Sequence, residues 1–167
     1  TYLNEFTYEA AIKAVGGMID LAGKIMNNEL KNGIVLSRPP GHHATSSRAM
    51  GFCLFNTIAL GARSCILNKK CKKVAIIDTD VHHGNGTQAI FYQNPNVLTI
   101  SFHETGKSLY PGSGEVTEIG AKDGVGYCIN FPFEPGSASS DVELIWAFKK
   151  IVPKALGSFN PDFIIWQ

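Results

Sequence analysis

Apolar and polar positions follow one another along this chain in two rhythms, and the switches between them lay out the elements. From Thr7 to Met26, apolar residues at Ala11, Ile12, Val15, Met18, Ile19, Ala22, Ile25 and Met26 recur at intervals of three and four. That is the spacing of an amphipathic helix, weakened by Gly16-Gly17. Asn32-Gly33 then turns the chain, and Ile34 to Ser37 reads as a short strand. Phe55 to Leu67 predicts a second helix, Val74 to Asp78 a strand, Thr87 to about Tyr92 a short helix, and Val97 to His103 another strand. Tyr127 to Phe131 is a further strand. Ser140 to about Ala155 is a helix opened by a capping box at Ser140-Asp141-Val142-Glu143, and Asp162 to Trp166 is a last strand. Strands alternating with helices predict an α/β fold, a mostly parallel, doubly wound sheet with helices on both faces. No internal repeat or low-complexity stretch is visible.

The stretch from Val74 to Thr87 organises the rest. Its first half, Val-Ala-Ile-Ile, is the β-branched run of a strand buried on both faces. Its second half, Asp78-Thr-Asp80-Val-His82-His83-Gly-Asn85-Gly, is polar. In extended chain, residues two apart share a side, so Asp78, Asp80 and His82 face one way and His83 the other. Carboxylates and an imidazole thereby converge where the strand ends, the edge at which open α/β sheets place ligands. Two adjacent histidines, His42-His43, sit on the loop Arg38-Pro39-Pro40-Gly41 at the end of the strand expected at 34–37, and His103 closes another strand. An Asp-rich strand end capping the next helix would explain Asp78 alone. All five histidines between positions 42 and 103 point instead to a metal or catalytic site. The long loop Glu104 to Val125, with Tyr110-Pro111-Gly112-Ser113-Gly114, has the length of a functional loop, and Tyr110 beside a proline makes a stiff wall.

Composition narrows the class. With 167 residues, 44% hydrophobic and 17% charged, the chain is long enough for one domain with a sizeable core. A net charge of +1 and a pI near 7.6 leave no footprint for direct nucleic-acid binding or for an anionic membrane. The run Lys69-Lys70-Cys71-Lys72-Lys73 lacks interleaved aromatics and reads as the solvated end of a helix. Four widely spaced cysteines without a Cys-x-x-Cys pair suggest reduced thiols in a cytoplasmic protein, or a nuclear one if the source is eukaryotic. No apolar run reaches the ~18 residues of a membrane span.

Four motifs, Arg-Pro-Pro-Gly-His-His-Ala (38–44), Met-Gly-Phe-Cys-Leu-Phe-Asn (50–56), Asp-Thr-Asp-Val-His-His-Gly-Asn-Gly-Thr-Gln (78–88) and Tyr-Pro-Gly-Ser-Gly (110–114), together resemble the zinc-dependent histone deacetylase family. That family includes acetylpolyamine amidohydrolases and acetoin-utilisation proteins, and order and spacing match from about Tyr8 to Gln167. The resemblance implies a three-layer arginase–deacetylase fold and zinc-dependent hydrolysis of acetyl groups from an acetylated lysine peptide or an acetylpolyamine. By motif position it implies Asp80 and His82 as two of three zinc ligands and His42 and His43 as the tandem histidines beside the metal. Asp78 would orient His42, and Asn85 would stand behind His43. It implies Gly51, Phe52 and Tyr110 along the acyl-lysine tunnel. It also implies a potassium ion near Asp78, Asp80, His82, Ser101 and Phe102.

Three departures shape these expectations. Asn85 stands where class I enzymes have aspartate, which points to class II-like or microbial relatives and to a less basic His43. Gly84 stands where arginases carry a further carboxylate, which disfavours a dimanganese ureohydrolase. The third zinc ligand and the transition-state tyrosine of the family fall beyond Gln167. The strand-like Phe163-Ile-Ile-Trp166 so near the end leads to the same expectation, a partial domain lacking a C-terminal and an N-terminal portion, inactive by itself. A non-catalytic acyl-lysine or partner-binding module on the same scaffold is the alternative. Substrate identity and oligomeric state are open at this level.

Overall fold

The computed structural model describes residues 3–69, 71–135 and 141–167. Four parallel strands form one sheet in the order β3-β2-β1-β4, with β1 Val74–Asp78, β2 Val97–Glu104, β3 Cys128–Phe133 and β4 Phe163–Trp166. Each strand is reached through a helix or a long loop, because a parallel pair cannot be closed by a tight turn. The helices are α1 Thr7–Met26, α2 Thr57–Leu67, α3 Asn85–Phe91 and α4 Asp141–Phe159.

The β1 sequence explains its central place. All five residues are buried, and their alternation feeds two cores. Val74 and Ile76 pack with Met18, Ala22, Ala62 and Ile165 under α1 and α2, while Ala75 and Ile77 pack with Leu98, Ile100, Ala147 and Val152 under α4. Helices therefore cover both faces, as the alternating pattern predicts. α1 has the expected bounds, and α4 runs through Pro153 to Phe159, beyond the expected end. The capping box expected at Ser140 falls outside the described residues, as does Lys70 of the basic run. The described cysteines are buried and free. Among the described residues no helix is long and apolar enough to cross a membrane.

One expected element is not a strand. Ile34 to Ser37 makes no ladder, and Ile34 and Leu36 are 86% and 94% exposed. The physical reason is the missing neighbour: an extended segment becomes a strand only when its amides find partners. Here the edge strand β4 stands across a groove of about 510 Å³ lined by both segments. The loop bearing His42 and His43 is therefore held by other contacts than a strand's.

Candidate active site

The site forms where β1 ends. Asp78 is buried, and its Oδ2 lies 2.8 Å from His42 Nδ1 while its Oδ1 accepts from the Asp80 amide at 3.1 Å. His43 Nδ1 lies 2.8 Å from Asn85 Oδ1, at the start of α3. The amides of Gly86 and Thr87, which begin α3 and have no partner inside their own helix, donate to the His42 carbonyl at 2.9 and 3.1 Å. Asn56 caps α2 by accepting from the Ala59 amide, and its Nδ2 donates to the Ala44 carbonyl and to Thr87 Oγ1. The His43 amide donates to Cys53 Sγ at 3.4 Å. These bonds do for the His42-His43 loop what the expected strand does not.

The two imidazoles lie with centroids 4.0 Å apart. Their surroundings push them in opposite directions. Burial lowers the His42 pKa, but the hydrogen bond to Asp78 and the charges of Asp78 and Asp80 outweigh it and leave it raised. Burial lowers the His43 pKa too, and there the neutral amide of Asn85 does not compensate for the neighbouring His42 and His82 charges. Relative to a free imidazole, one ring is thus favoured in its protonated form and the other in its neutral form. Among the described residues no hydrogen bond engages Nε2 of either ring.

Asp80 and His82 face the same opening. The His82 amide donates to Asp80 Oδ1 at 2.8 Å, and His82 Nδ1 lies 3.1 Å from that oxygen. Two ligands about 2.0 Å from a tetrahedral zinc stand roughly 3.3 Å apart, so carboxylate and imidazole fit two corners of such a site in kind and spacing. Among the described residues no cluster of three His, Cys, Asp or Glu is placed to hold a metal. Tyr110 sits edge-on to His43 and His82, at centroid distances of 5.0 and 6.3 Å.

Gly51 backs onto His43 so closely that a Cβ there would stand 2.3 Å from its Cδ2. The next residue, Phe52, is held at φ 64° and is 72% exposed. Tyr110 is 45% exposed. The ring neighbours of Tyr110 are the histidines, and among the described residues no ring contact joins it to Phe52.

The expected potassium set is less uniform. Ser101 is the register partner of Asp78, and its hydroxyl is already bonded to His103 Nδ1 at 2.8 Å. The Phe102 side chain points away into the α4 core, against Phe131 and Phe148.

His83 faces away from the opening, as its parity predicts, and meets Ser113 and Gln88. Sequence reasoning assigned nothing to Asn56, Cys53, Ser113, Gln88 or Glu118. Asn56 sits in a recognisable helix-cap position, a legible signal. Gln88 and Glu118 are 30 residues apart and meet only in the fold.

The histone deacetylase domain model matches residues 1–167. Histone deacetylase 15 of Arabidopsis thaliana is 48% identical over 99% of the chain, and histone deacetylase 4 of Caenorhabditis elegans is 44% identical over 99%. Histone deacetylase 7 of Homo sapiens is 45% identical over 93%. Among solved structures, the HDA15 HD domain superposes on the whole chain with a TM-score of 0.96 at 47% identity. An acetylpolyamine aminohydrolase from Burkholderia pseudomallei superposes on 98% of it with a TM-score of 0.90 at 34% identity. The architecture is therefore the arginase–deacetylase fold. The chain spans 30% and 19% of the Arabidopsis and Caenorhabditis relatives, and 48% and 46% of the two solved chains.

Proposed function

Because this chain belongs to the histone deacetylase family, we propose that its parent protein is a zinc-dependent amidohydrolase that removes acetyl groups from acetyl-lysine or an acetylated polyamine. The chain supplies the proton-handling half of the centre and two of its metal ligands, Asp80 and His82. The observation that carries this reading is the pairing of His42 with Asp78 and of His43 with Asn85, with the His43 ring 5.9 Å from that of His82 in the Asp80 and His82 donor pair.

Zinc bound there would lower the pKa of a water to about 7 and polarise the acetyl carbonyl. The residues of this chain do the rest. His43, whose pKa is lowered, takes a proton from the attacking water and returns one to the departing amine, which must leave neutral. His42, whose protonated form Asp78 favours, stabilises negative charge developing on the acetyl oxygen. Tyr110 and Phe52, with Gly51 between Phe52 and His43, flank the stem of the acylated amine. A third ligand and a further oxyanion donor come from outside this chain. A potassium ion at Asp78, Asp80, His82, Ser101 and Phe102 belongs to the same proposal, with Phe102 contributing only backbone. A purely binding role is disfavoured by two histidines whose environments drive their pKa values apart, an arrangement that binding does not need.

The test is metal content and acetate release on the same purified variants of the parent. His43→Ala should abolish hydrolysis of an acetyl-lysine peptide and keep its zinc, whereas Asp80→Ala should lose both. Turnover at the wild-type rate in His43→Ala would remove the base assignment.

A further inference from the structure

Behind the opening, on the side away from the proposed metal, a closed chain of polar groups ties the strand end of β1 to the loop that carries Tyr110. His103 Nε2 stands 2.9 Å from the Gly114 carbonyl, which only accepts, so that nitrogen bears the ring proton. His103 Nδ1 is then free to accept from the Ser101 hydroxyl at 2.8 Å. His83 follows the same logic. Its Nε2 meets Gln88 Oε1 at 3.0 Å, an oxygen that also receives Asn130 Nδ2 at 2.7 Å, so His83 Nε2 is the donor and Nδ1 the acceptor. The partner of Nδ1 is Ser113 Oγ at 2.8 Å, which therefore donates. Glu118 closes the chain: one carboxylate oxygen takes the amides of Gly114 and Glu115, each at 3.0 Å, and the other takes Gln88 Nε2. Among the described residues no buried side-chain polar atom lacks a partner.

Gly114 shows how closely the loop is seated. At φ 93°, a Cβ there would lie 2.3 Å from His103 Nε2 and 2.7 Å from His83 Cγ. The two ends of the turn are thus gripped by adjacent residues. His82 meets Tyr110 on the open side, and His83 holds Ser113 on the closed side. We infer that Ser113 and His83 are positioning residues that set the height of the Tyr110 wall over the proposed centre, and so its discrimination for substrates with a long methylene stem.

This inference rests on the proposed amidohydrolase reading, and the experiment separates the two. Ser113→Ala removes the donor and leaves His83 Nδ1 unpaired, whereas Ser113→Thr keeps a hydroxyl. The zinc-loaded parent and both variants are compared on an acetyl-lysine peptide and on a short acetyl amide without the stem. Amide hydrogen exchange is followed in parallel over residues 108–115.

Ser113→Ala should raise KM for the peptide about tenfold, equivalent to roughly 1.4 kcal/mol, with little change in kcat or in KM for the short amide. It should also speed exchange at 108–115 while β2 amides stay protected. Ser113→Thr should restore both readouts. A general loss of folded protein would instead lower apparent kcat on both substrates. Unchanged exchange in Ser113→Ala overturns the anchoring, even if the parent proves to have no hydrolase activity. Faster exchange with KM values that remain equal, or that rise alike for both substrates, overturns the positioning role. Failure of the amidohydrolase reading shows separately, as no turnover by the wild-type parent on either substrate.

Discussion

Replacing Gly51 by alanine should disable the proposed centre without touching any of its polar groups. The added Cβ would stand 2.3 Å from His43 Cδ2 and 2.7 Å from its Cγ. Ordinary contact begins near 3.4 Å, so the ring must retreat by about 1.1 Å, or the backbone at 51 must shift by as much. The 2.8 Å bond from His43 to Asn85 tolerates only a few tenths of an ångström before it weakens.

A misplacement of about 1 Å at a reacting group costs on the order of 100-fold in rate. The stability cost is of similar size: about 1 to 2 kcal/mol for a Cβ at φ 57°, and about 1 kcal/mol for the lost hydrogen bond. The assay is kcat/KM on an acetyl-lysine peptide, with zinc content and urea melts on the same samples. A double-mutant cycle supplies the control. Read in urea melts, the part of the cost that acts through the ring should vanish in a His43→Ala background, leaving only the backbone cost at φ 57° and the contact with the Cβ of residue 43. Activity within threefold of wild type in folded, zinc-replete Gly51→Ala would refute the reasoning.

Two further outcomes are expected. His83 is held at a pKa of about 4 by burial and by the neighbouring His103, against 6.5 when unfolded. The unfolded state therefore binds more protons between these values, and the stability contributed by neutral His83 is intact above pH 6.5 and lost as pH falls towards 4. Going from pH 7.5 to 5 should remove about 2 kcal/mol. His42, whose pKa is raised, acts with the opposite sign but is common to both proteins, so urea melts of wild type and His83→Gln should differ in pH dependence by that amount. Parallel curves would remove the assignment. The second concerns the metal: the 167-residue chain by itself should hold zinc weakly and show no hydrolysis, since Asp80 and His82 leave much of the ion's coordination to water. Metal analysis after dialysis checks this, and stoichiometric zinc with full activity would overturn the assignment of Asp80 and His82 as only part of the ligand set.

The fold was legible wherever hydrophobic rhythm and burial coincide. β1, buried on both faces, announces itself as an unbroken apolar run, and α1 has the predicted bounds because its buried face repeats at helical spacing. The segment 34–37 has the same apolar signature, yet it forms no ladder, because strand formation depends on a neighbour that local sequence does not specify. The proposed site follows the same division. Two-residue alternation groups Asp78, Asp80 and His82, but β1 ends at Asp78, and it is turns in which Asp78 and Asp80 accept from the amides two residues on that link them. The pairing of His42 with Asp78 across 36 positions, and of Gln88 with Glu118 across 30, depends on loops whose return paths no short-range pattern encodes.

Phe52 carries a consequence for anyone breeding this protein. A bulky side chain in the left-handed backbone region sits there at a cost of about 1 to 2 kcal/mol relative to glycine, and its ring is left largely in water. Glycine at 52 would relieve the backbone and remove exposed apolar surface, while taking away the side chain proposed to flank the substrate stem. A library selected only for heat resistance or solubility should therefore drift to glycine or asparagine at 52, whereas one selected on a long-stem substrate should keep an aromatic. The residue recovered there would record which of the two pressures had been applied.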